Sequence, residues 1–514
     1  MNGFPWLSVL AVVPLVGSIL VAALPTSKPV LAKQVALAFS LVTLGLAVAM
    51  CFAYDPHGAT YQFVENHTWI SSLGVSYTVG VDGIALALIA MSAVLVPVVL
   101  IAAWDDVDDA RHAVKTYFAL LLVLETAMVM VFASLDLFLF YVFFEAMLLP
   151  VYFLIGMFGG PQRQYAAVKF LLYSLLGGLL MLAALVGLYV VSGHGGHGGT
   201  FDFRALTDLS ISSSTQKWLF LGFFAAFAIK APMWPVHTWL PDAAAESTPA
   251  TAVLLVGVLD KVGTFGMIRY CLQLFPDASR WFAPGVAVLS VIAVLYGALL
   301  AVGQSDMMRL IAYTSVSHFG FITLGIFALT TQGQSGSTLY MVNHGFSTAG
   351  LFLLAGFMIK RRGSRRIADY GGVQRVAPIL AGTFLVVGLS GLALPGLSSF
   401  VSEFLVLVGT FVRYPVAGVA ATIGIVLAAL YVLWWYQRAA TGPATEGVKG
   451  FKDLGWRESL AVAPVIAIIV ALGFFPKPLL DVINPAVANT LKQVQVSDPH
   501  PHTPVAAGSE GTSK

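Results

Sequence analysis

The chain has 514 residues, of which 58% are hydrophobic and 10% charged, with 27 Lys and Arg against 25 Asp and Glu. A soluble domain carries about 25% charged residues, and the mean hydropathy here is +0.86. These values exclude a soluble enzyme, a disordered chain and a secreted disulfide scaffold, and the net charge of +2 argues against a nucleic-acid partner.

Each spanning helix needs roughly 20 mainly apolar residues. Hydropathy marks fourteen candidate spans, at 4–24, 31–53, 84–104, 116–134, 136–158, 165–192, 217–240, 248–271, 282–303, 309–330, 337–359, 377–412, 416–438 and 457–476. The first has no charged leader and no small-residue cleavage site, so it is predicted to be a permanent helix and not a removed signal. The seventh holds Pro232 and Pro235, and the twelfth is too long for one span and holds Pro395-Gly396. Both are predicted to be broken helices. The expected fold is an all-α polytopic membrane protein of about 14 transmembrane helices.

The connections set the orientation. Seventeen Lys and Arg fall on one side, with Arg361, Arg362, Arg365 and Arg366 clustered there, and eight on the other. The positive-inside rule then puts both termini outside. The 54–83 connection has no Lys or Arg and is expected outside as a hydrophilic loop. His194 and His197 lie in a Gly-rich stretch, where a flexible loop is favoured over a metal site because no third ligand type is fixed nearby. The Pro- and His-containing segment 485–514 is expected to be a disordered tail.

Spans four to eight and nine to thirteen form two sets of five, each with its Pro-interrupted span in fourth place. An odd number of spans per unit makes consecutive units inverted, and inverted repeats with broken helices mark many ion-coupled transporters. The expected organisation is an N-terminal three-helix segment (1–110), a first repeat (111–275), a second repeat (276–440), a last helix (441–484) and the tail (485–514).

An ionisable group near the bilayer centre costs about 2.5–3.5 kcal/mol on the insertion scale. This chain carries Glu125, Glu145, Lys230, Asp260, Lys261 and Glu403 inside its spans, with His318 and His344. Glu145 sits in FYVFFEAMLLP with no polar neighbour within four residues, so its cost calls for a partner. Lys230 lies two residues before Pro232, where a cap on the freed carbonyls is the competing role. Lys261 is too deep to snorkel, which leaves a static pair with a carboxylate as its structural alternative. Ser399 is one turn from Glu403 and placed to hydrogen-bond it. The histidines titrate in the range that suits proton relay, although a lone membrane His is often a packing residue. His237 and Glu125 are secondary candidates, and Glu125 is also read as a residue facing a partner subunit. The two cysteines, Cys51 and Cys271, form no CxxC, and no dinucleotide or Walker motif occurs. The chain is therefore expected to bind no cofactor and no metal, and to take its energy from an ion gradient or a partner.

Several stretches resemble the antiporter-like membrane subunits of respiratory complex I, the bacterial NADH:quinone oxidoreductase. The longest is KAPMWPVHTWLPDAAAESTPATAVLLVGVLDKVGTFGMIRY, from Lys230 to Tyr270. Others are DLFLFYVFFEAMLLPVYFLIG from Asp136, DMMRLIAYTSVSHFGFITLGI from Asp306, RRIADYGGV from Arg365 and LALPGLSSFVSEFL from Leu392. The resemblance runs from about residue 80 to 476. Within the family it points to the M branch. Glu403 stands where L and N subunits usually carry Lys, and the 38 residues after the last span leave no room for the lateral helix of L.

The resemblance implies a proton-translocating subunit. It makes Glu145 and Lys230 a coupled pair, Lys261 the central lysine, Glu403 the terminal charge, and His318 and His344 the links. It implies FMN, iron–sulfur clusters and quinone in partner subunits, contacts with L-like and N-like subunits on both sides and with the L-like lateral helix, surrounding lipids, and a bacterial inner (plasma) membrane. The family usually has an apolar residue before the central lysine. Asp260 departs from that pattern, and its role stays open. Related alternatives are a subunit of a multi-subunit sodium/proton antiporter or of a membrane-bound hydrogenase complex, and a purely structural scaffold.

Overall fold

The computed structural model describes residues 3–107, 114–193 and 198–499. Arg111, His194, His197 and the segment from residue 500 onward, which carried some of the expectations above, lie outside the described residues.

Every predicted span is occupied by helix. In chain order the helices are α1 (Trp6–Ala23), α2 (Pro29–Ala53), α3 (Gly83–Ala102), α4 (Val114–Ala133), α5 (Leu137–Ala146), α6 (Leu148–Phe158), α7 (Arg163–Ser192), the short α8 (Phe203–Thr207), α9 (Ser213–Lys230), α10 (Trp239–Glu246), α11 (Pro249–Leu254), α12 (Lys261–Gly266), α13 (Pro276–Val302), α14 (Met307–Phe327), α15 (Thr331–Arg362), the short α16 (Val373–Val376), α17 (Pro378–Gly391), α18 (Ser398–Arg413), α19 (Pro415–Ala440), α20 (Trp456–Phe474) and α21 (Lys477–Val494). Among the described residues, 12 helical stretches are long and apolar enough to cross a membrane. The two remaining predicted spans are the broken ones, α9–α10 and α17–α18.

The sequence shows why these helices break where they do. Pro232 has no N–H for the Ala228 carbonyl, and the Met233 N–H takes it instead. Leu394 to Leu397 form a tight turn with Pro395 second and Gly396 third, and the Leu397 N–H reaches the Leu394 carbonyl at 3.1 Å. The third position needs positive φ, which glycine supplies at +91°. A further break, not expected, separates α5 from α6 at Met147, because Pro150 cannot donate to the Ala146 carbonyl. The eighth span is also irregular. Leu255–Leu259 and Met267–Leu272 are π-helical turns on either side of α12.

The helices sort by burial. The stretches Pro249–Leu272, Met307–Phe327 and Thr331–Arg362 are 100%, 94% and 89% buried, whereas α2 and α20 are 28% and 22% buried. Three helical stretches rich in polar side chains thus form the centre, and uniformly apolar helices form the rim.

Two expectations about connections change. The 54–83 loop contains an antiparallel hairpin, β1 (Gln62–Ile70) and β2 (Val75–Val81). Its Val79 and Val81 are fully buried, and Glu65 accepts the Leu7 and Ser8 N–H groups at the start of α1. The segment read as a disordered tail from Pro485 is helical to Val494. Its Ile483, Val487, Leu491 and Val494 recur at helical spacing and are buried against α3, α13 and α15. Pro485 sits inside that helix without ending it.

Lys115 at the start of α4 donates to the Ala22 and Leu24 carbonyls. Arg457 pairs with Asp105, Arg361 with Glu458, Lys360 with Asp106, and Arg365 with Glu246 and Asp306. These contacts gather the Arg-rich connections on one face. The starts of α1 and α3, the hairpin and α21 share the opposite face. Trp218, Trp281, Trp434 and Trp456 are exposed near helix ends, where an interfacial belt is expected.

Candidate functional site

The polar groups inside the bundle form a row, one half of it joined by hydrogen-bonded pairs and ring contacts and the other half open. The connected half starts at Lys261. A π turn precedes it, and the Lys261 ammonium turns back to donate to the Val256 carbonyl within that turn. The same Nζ lies 2.7 Å from Nδ1 of His344 on α15. The His344 ring meets the His318 ring of α14 edge-on, with centroids 5.2 Å apart. His318 Nε2 is 3.3 Å from the Tyr431 hydroxyl on α19, and its ring is 5.8 Å from that of Tyr340. The Tyr340 hydroxyl donates to Glu403 Oε2 at 3.0 Å.

Lys261, His344, His318, Tyr340, Tyr431 and Glu403 are each at most 4% exposed. Five helical stretches therefore bring one run of proton-bearing groups to the interior. Lys261 is paired with an imidazole, not with the carboxylate weighed above. The Ser399 hydroxyl has no hydrogen-bond partner, and Tyr340 supplies the hydrogen bond to Glu403 that was expected from Ser399. The α17–α18 break beside Glu403 is itself polar. Asn343 donates to the Ser398 carbonyl and to Ser402 Oγ, and the Ser390 and Ser398 hydroxyls are 3.3 Å apart.

The open half holds Glu145 and Lys230. Lys230 is the last residue of α9, where the helix dipole favours a cation. Its ammonium is buried without a hydrogen-bond partner and lies 4.7 Å from the Phe144 ring centroid. It caps no freed carbonyl. Glu145 stands at the end of α5, where the same dipole disfavours an anion. Its Oε1 has no partner and packs against Gly178 of α7, where a β-carbon would sit 1.8 Å away. The expected pair is thus not closed: Glu145 and Lys230 share no ion pair within 4.0 Å, although each lies within reach of the other's charge.

The two halves meet where α12 packs on α9. Gly263 abuts the Ala231 nitrogen and the Phe227 carbonyl so closely that a β-carbon would lie 2.5 and 2.6 Å from them. Asp260, one turn before Gly263, is fully buried with both oxygens unpartnered.

The secondary candidates lie apart from this row. Glu125 is fully buried within this chain with both oxygens unpartnered, so it faces no partner subunit. His237 lies in the α9–α10 break, 2% exposed, with its ring 5.3 Å from Tyr296. Just beyond it Asp242 joins Lys169 at 2.6 Å and Arg309 at 2.7 Å, tying α7, α10 and α14 together on the Arg-rich face.

Tyr340 and Tyr431 were missed by sequence reasoning. Tyr340 precedes His344 by one helical turn, so its shared face was visible in YMVNHGFS. Tyr431 belongs to an outer apolar helix and carried no such signal. Among the described residues no three His, Cys, Asp or Glu side chains group as metal ligands.

Comparison with known proteins gives the family. Residues 134–428 match the family described as NADH:quinone oxidoreductase/Mrp antiporter, TM. The chain is 53% identical to NADH-quinone oxidoreductase subunit M of Mycobacterium tuberculosis, covering 100% of this chain and 99% of the relative. A chain of respiratory complex I from Thermus thermophilus superposes with a TM-score of 0.86 at 29% identity, covering 95% of this chain and 99% of that one. A chain of the Mrp complex from Dietzia superposes with a TM-score of 0.84 at 22% identity, covering 96% and 100%, which is a likeness of fold. This chain belongs to the NADH:quinone oxidoreductase/Mrp antiporter family, in its complex I subunit M branch.

Proposed function

We propose that this subunit carries protons across the membrane along Glu145, Lys230, Lys261, His344, His318 and Glu403, driven by electron transfer from NADH to quinone in partner subunits. The subunit itself takes no part in the redox chemistry. FMN, the iron–sulfur clusters and quinone belong to those partners. L-like and N-like subunits flank it on both sides, the L-like lateral helix crosses it, and lipids cover the rest. The membrane is the bacterial inner membrane, with both termini outside. The two five-span units, 111–275 and 276–440, act as inverted copies, each with its charge beside a broken helix.

The observation that carries the reading is the buried run from Lys261 through His344, His318 and tyrosine to Glu403. A neutral imidazole has one accepting and one donating nitrogen. Here His344 Nδ1 faces Lys261 and His318 Nε2 faces Tyr431, and the remaining nitrogens of the two rings, without hydrogen-bond partners, are free for the next transfer. The open Glu145–Lys230 pair is the second support. Two unit charges 4 Å apart interact by about 4 kcal/mol at an effective dielectric of 20. Moving one proton against a potential of about 150–200 mV costs about 3.5–4.6 kcal/mol. Closing and opening one such pair is the right size to drive one proton. With the pair closed, the carboxylate holds the lysine proton. With it open, Lys230 releases its proton toward Lys261.

The test uses inverted membrane vesicles with Glu145→Gln, following NADH oxidation and acidification together. The expected result is loss of both, with the complex still assembled. Normal oxidation and acidification, with sodium/proton exchange lost instead, overturns the reading and moves the chain to the antiporter class.

A further inference from the structure

Between the open and the connected halves of the row stands a carboxyl without an assigned role. Asp260 occupies the junction of the Leu255–Leu259 π turn and α12, fully buried. Both of its oxygens lack a hydrogen-bond partner, and it joins no ion pair within 4.0 Å. A buried carboxyl is costly unless it is neutral or paired, so an unpaired one at this depth requires a use or a transient partner.

Its position supplies that partner. Asp260 and Gly263 lie one turn apart on the same face of the helix. Gly263 is pressed against the Ala231 nitrogen and the Phe227 carbonyl at the end of α9. Lys230, with its ammonium unpartnered, is the residue immediately before Ala231. Asp260 is also the residue before Lys261, and both lysines act on its charge. The π turn displaces this stretch from regular α-helical register, as π turns at functional sites commonly do.

We propose that Asp260 is a proton-carrying station between Lys230 and Lys261, resting on the proton row of the preceding section. The step balances. The Lys230 ammonium gives a proton to the Asp260 carboxylate, leaving a neutral amine and a carboxylic acid. The acid then gives its proton to the neutral Lys261 amine, restoring the carboxylate and forming an ammonium. One positive charge has moved from α9 to α12, and neither lysine has had to meet the other.

The experiment compares Asp260→Asn, Asp260→Glu and Lys261→Met with wild type in inverted vesicles, with assembly of the complex checked in each. Asp260→Asn keeps the shape and loses the titrating proton. NADH-driven acidification is expected to fall by about tenfold or more, and Asp260→Glu is expected to restore most of it, which a packing role does not predict. Wild-type acidification in Asp260→Asn, with Lys261→Met inactive, overturns this inference and leaves the proton row standing. Wild-type acidification in Lys261→Met overturns both. If Asp260→Asn fails to assemble, the infrared difference spectrum between the oxidised and NADH-reduced complex decides. Asp260→Glu is expected to move a carboxyl C=O band in it, and a spectrum unchanged by that substitution overturns the inference.

Discussion

At the residue scale, chemistry was legible wherever a charge interrupted an apolar run. Glu145, Lys230, Lys261 and Glu403 stand out because hydrocarbon tolerates them only with a use or a partner. Their partners were less legible. Lys261 meets His344, 83 positions away, and Glu403 meets Tyr340, 63 positions away. Tertiary packing decides both contacts, and tyrosine is too common at helix ends and in cores to announce a relay. Tyr340 now carries a prediction. Tyr340→Phe removes the donor to a buried carboxyl and changes little else in shape. Losing a hydrogen bond to a charged group costs about 1.5–3 kcal/mol, so NADH-driven acidification should fall roughly tenfold in an assembled complex. Unchanged acidification would separate Tyr340 from the pathway.

At the element scale, proline and glycine carried the information that was readable. Pro232 and Pro395-Gly396 mark two helix breaks because each removes a donor or supplies a positive φ. Pro150 gave the same signal, and the break at Met147 passed unnoticed because both flanks are strongly apolar. The π turns of the eighth span leave no composition signature. They arise from packing all round, in a stretch that is 100% buried. The α21 helix was hidden by Pro485, although its buried positions recur every three or four residues.

Helix starts give a second prediction. The Asp453 carboxylate accepts the Ile379 and Leu380 N–H groups at 2.9 and 2.8 Å and so caps α17 from a neighbouring connection, while also accepting the Leu454 N–H. Burial works against its charge, but these donors and Arg361 outweigh it and hold the carboxyl below the usual carboxylate range. A depressed carboxyl stabilises the fold above its unfolded pKa, and that contribution is lost as pH falls through the folded value. Asp453→Ala should cost about 1 kcal/mol at neutral pH. Thermal unfolding of the purified complex should show the variant melting below wild type at pH 7, with the gap narrowing in acid. A gap that is constant with pH would assign the loss to packing alone.

At the scale of the whole molecule, the bundle is inverted with respect to a soluble protein: polar helices form the centre and apolar ones the rim. Hydropathy located the spans for that reason, and it undervalued the central ones, whose polar content is highest. The same arrangement gathers the Arg-rich connections on one face, with the starts of α1 and α3, the hairpin and α21 on the other. The proposed orientation, from the distribution of Lys and Arg, puts the Arg-rich face in the cytoplasm. Single cysteines test that assignment in a Cys51→Ser background, because the other native thiol, Cys271, is buried. Ala59→Cys lies in the exposed connection before the hairpin, and Glu446→Cys lies on the Arg-rich face, where the native side chain is 88% exposed. A membrane-impermeant thiol reagent added to intact spheroplasts should label position 59 at once and position 446 only after permeabilisation. The reverse pattern would turn the bundle over. The Lys169–Asp242–Arg309 cluster would then face outward. Labelling at 59 alone in intact spheroplasts would place the face that carries the hairpin and α21 outside and the Arg-rich face in the cytoplasm.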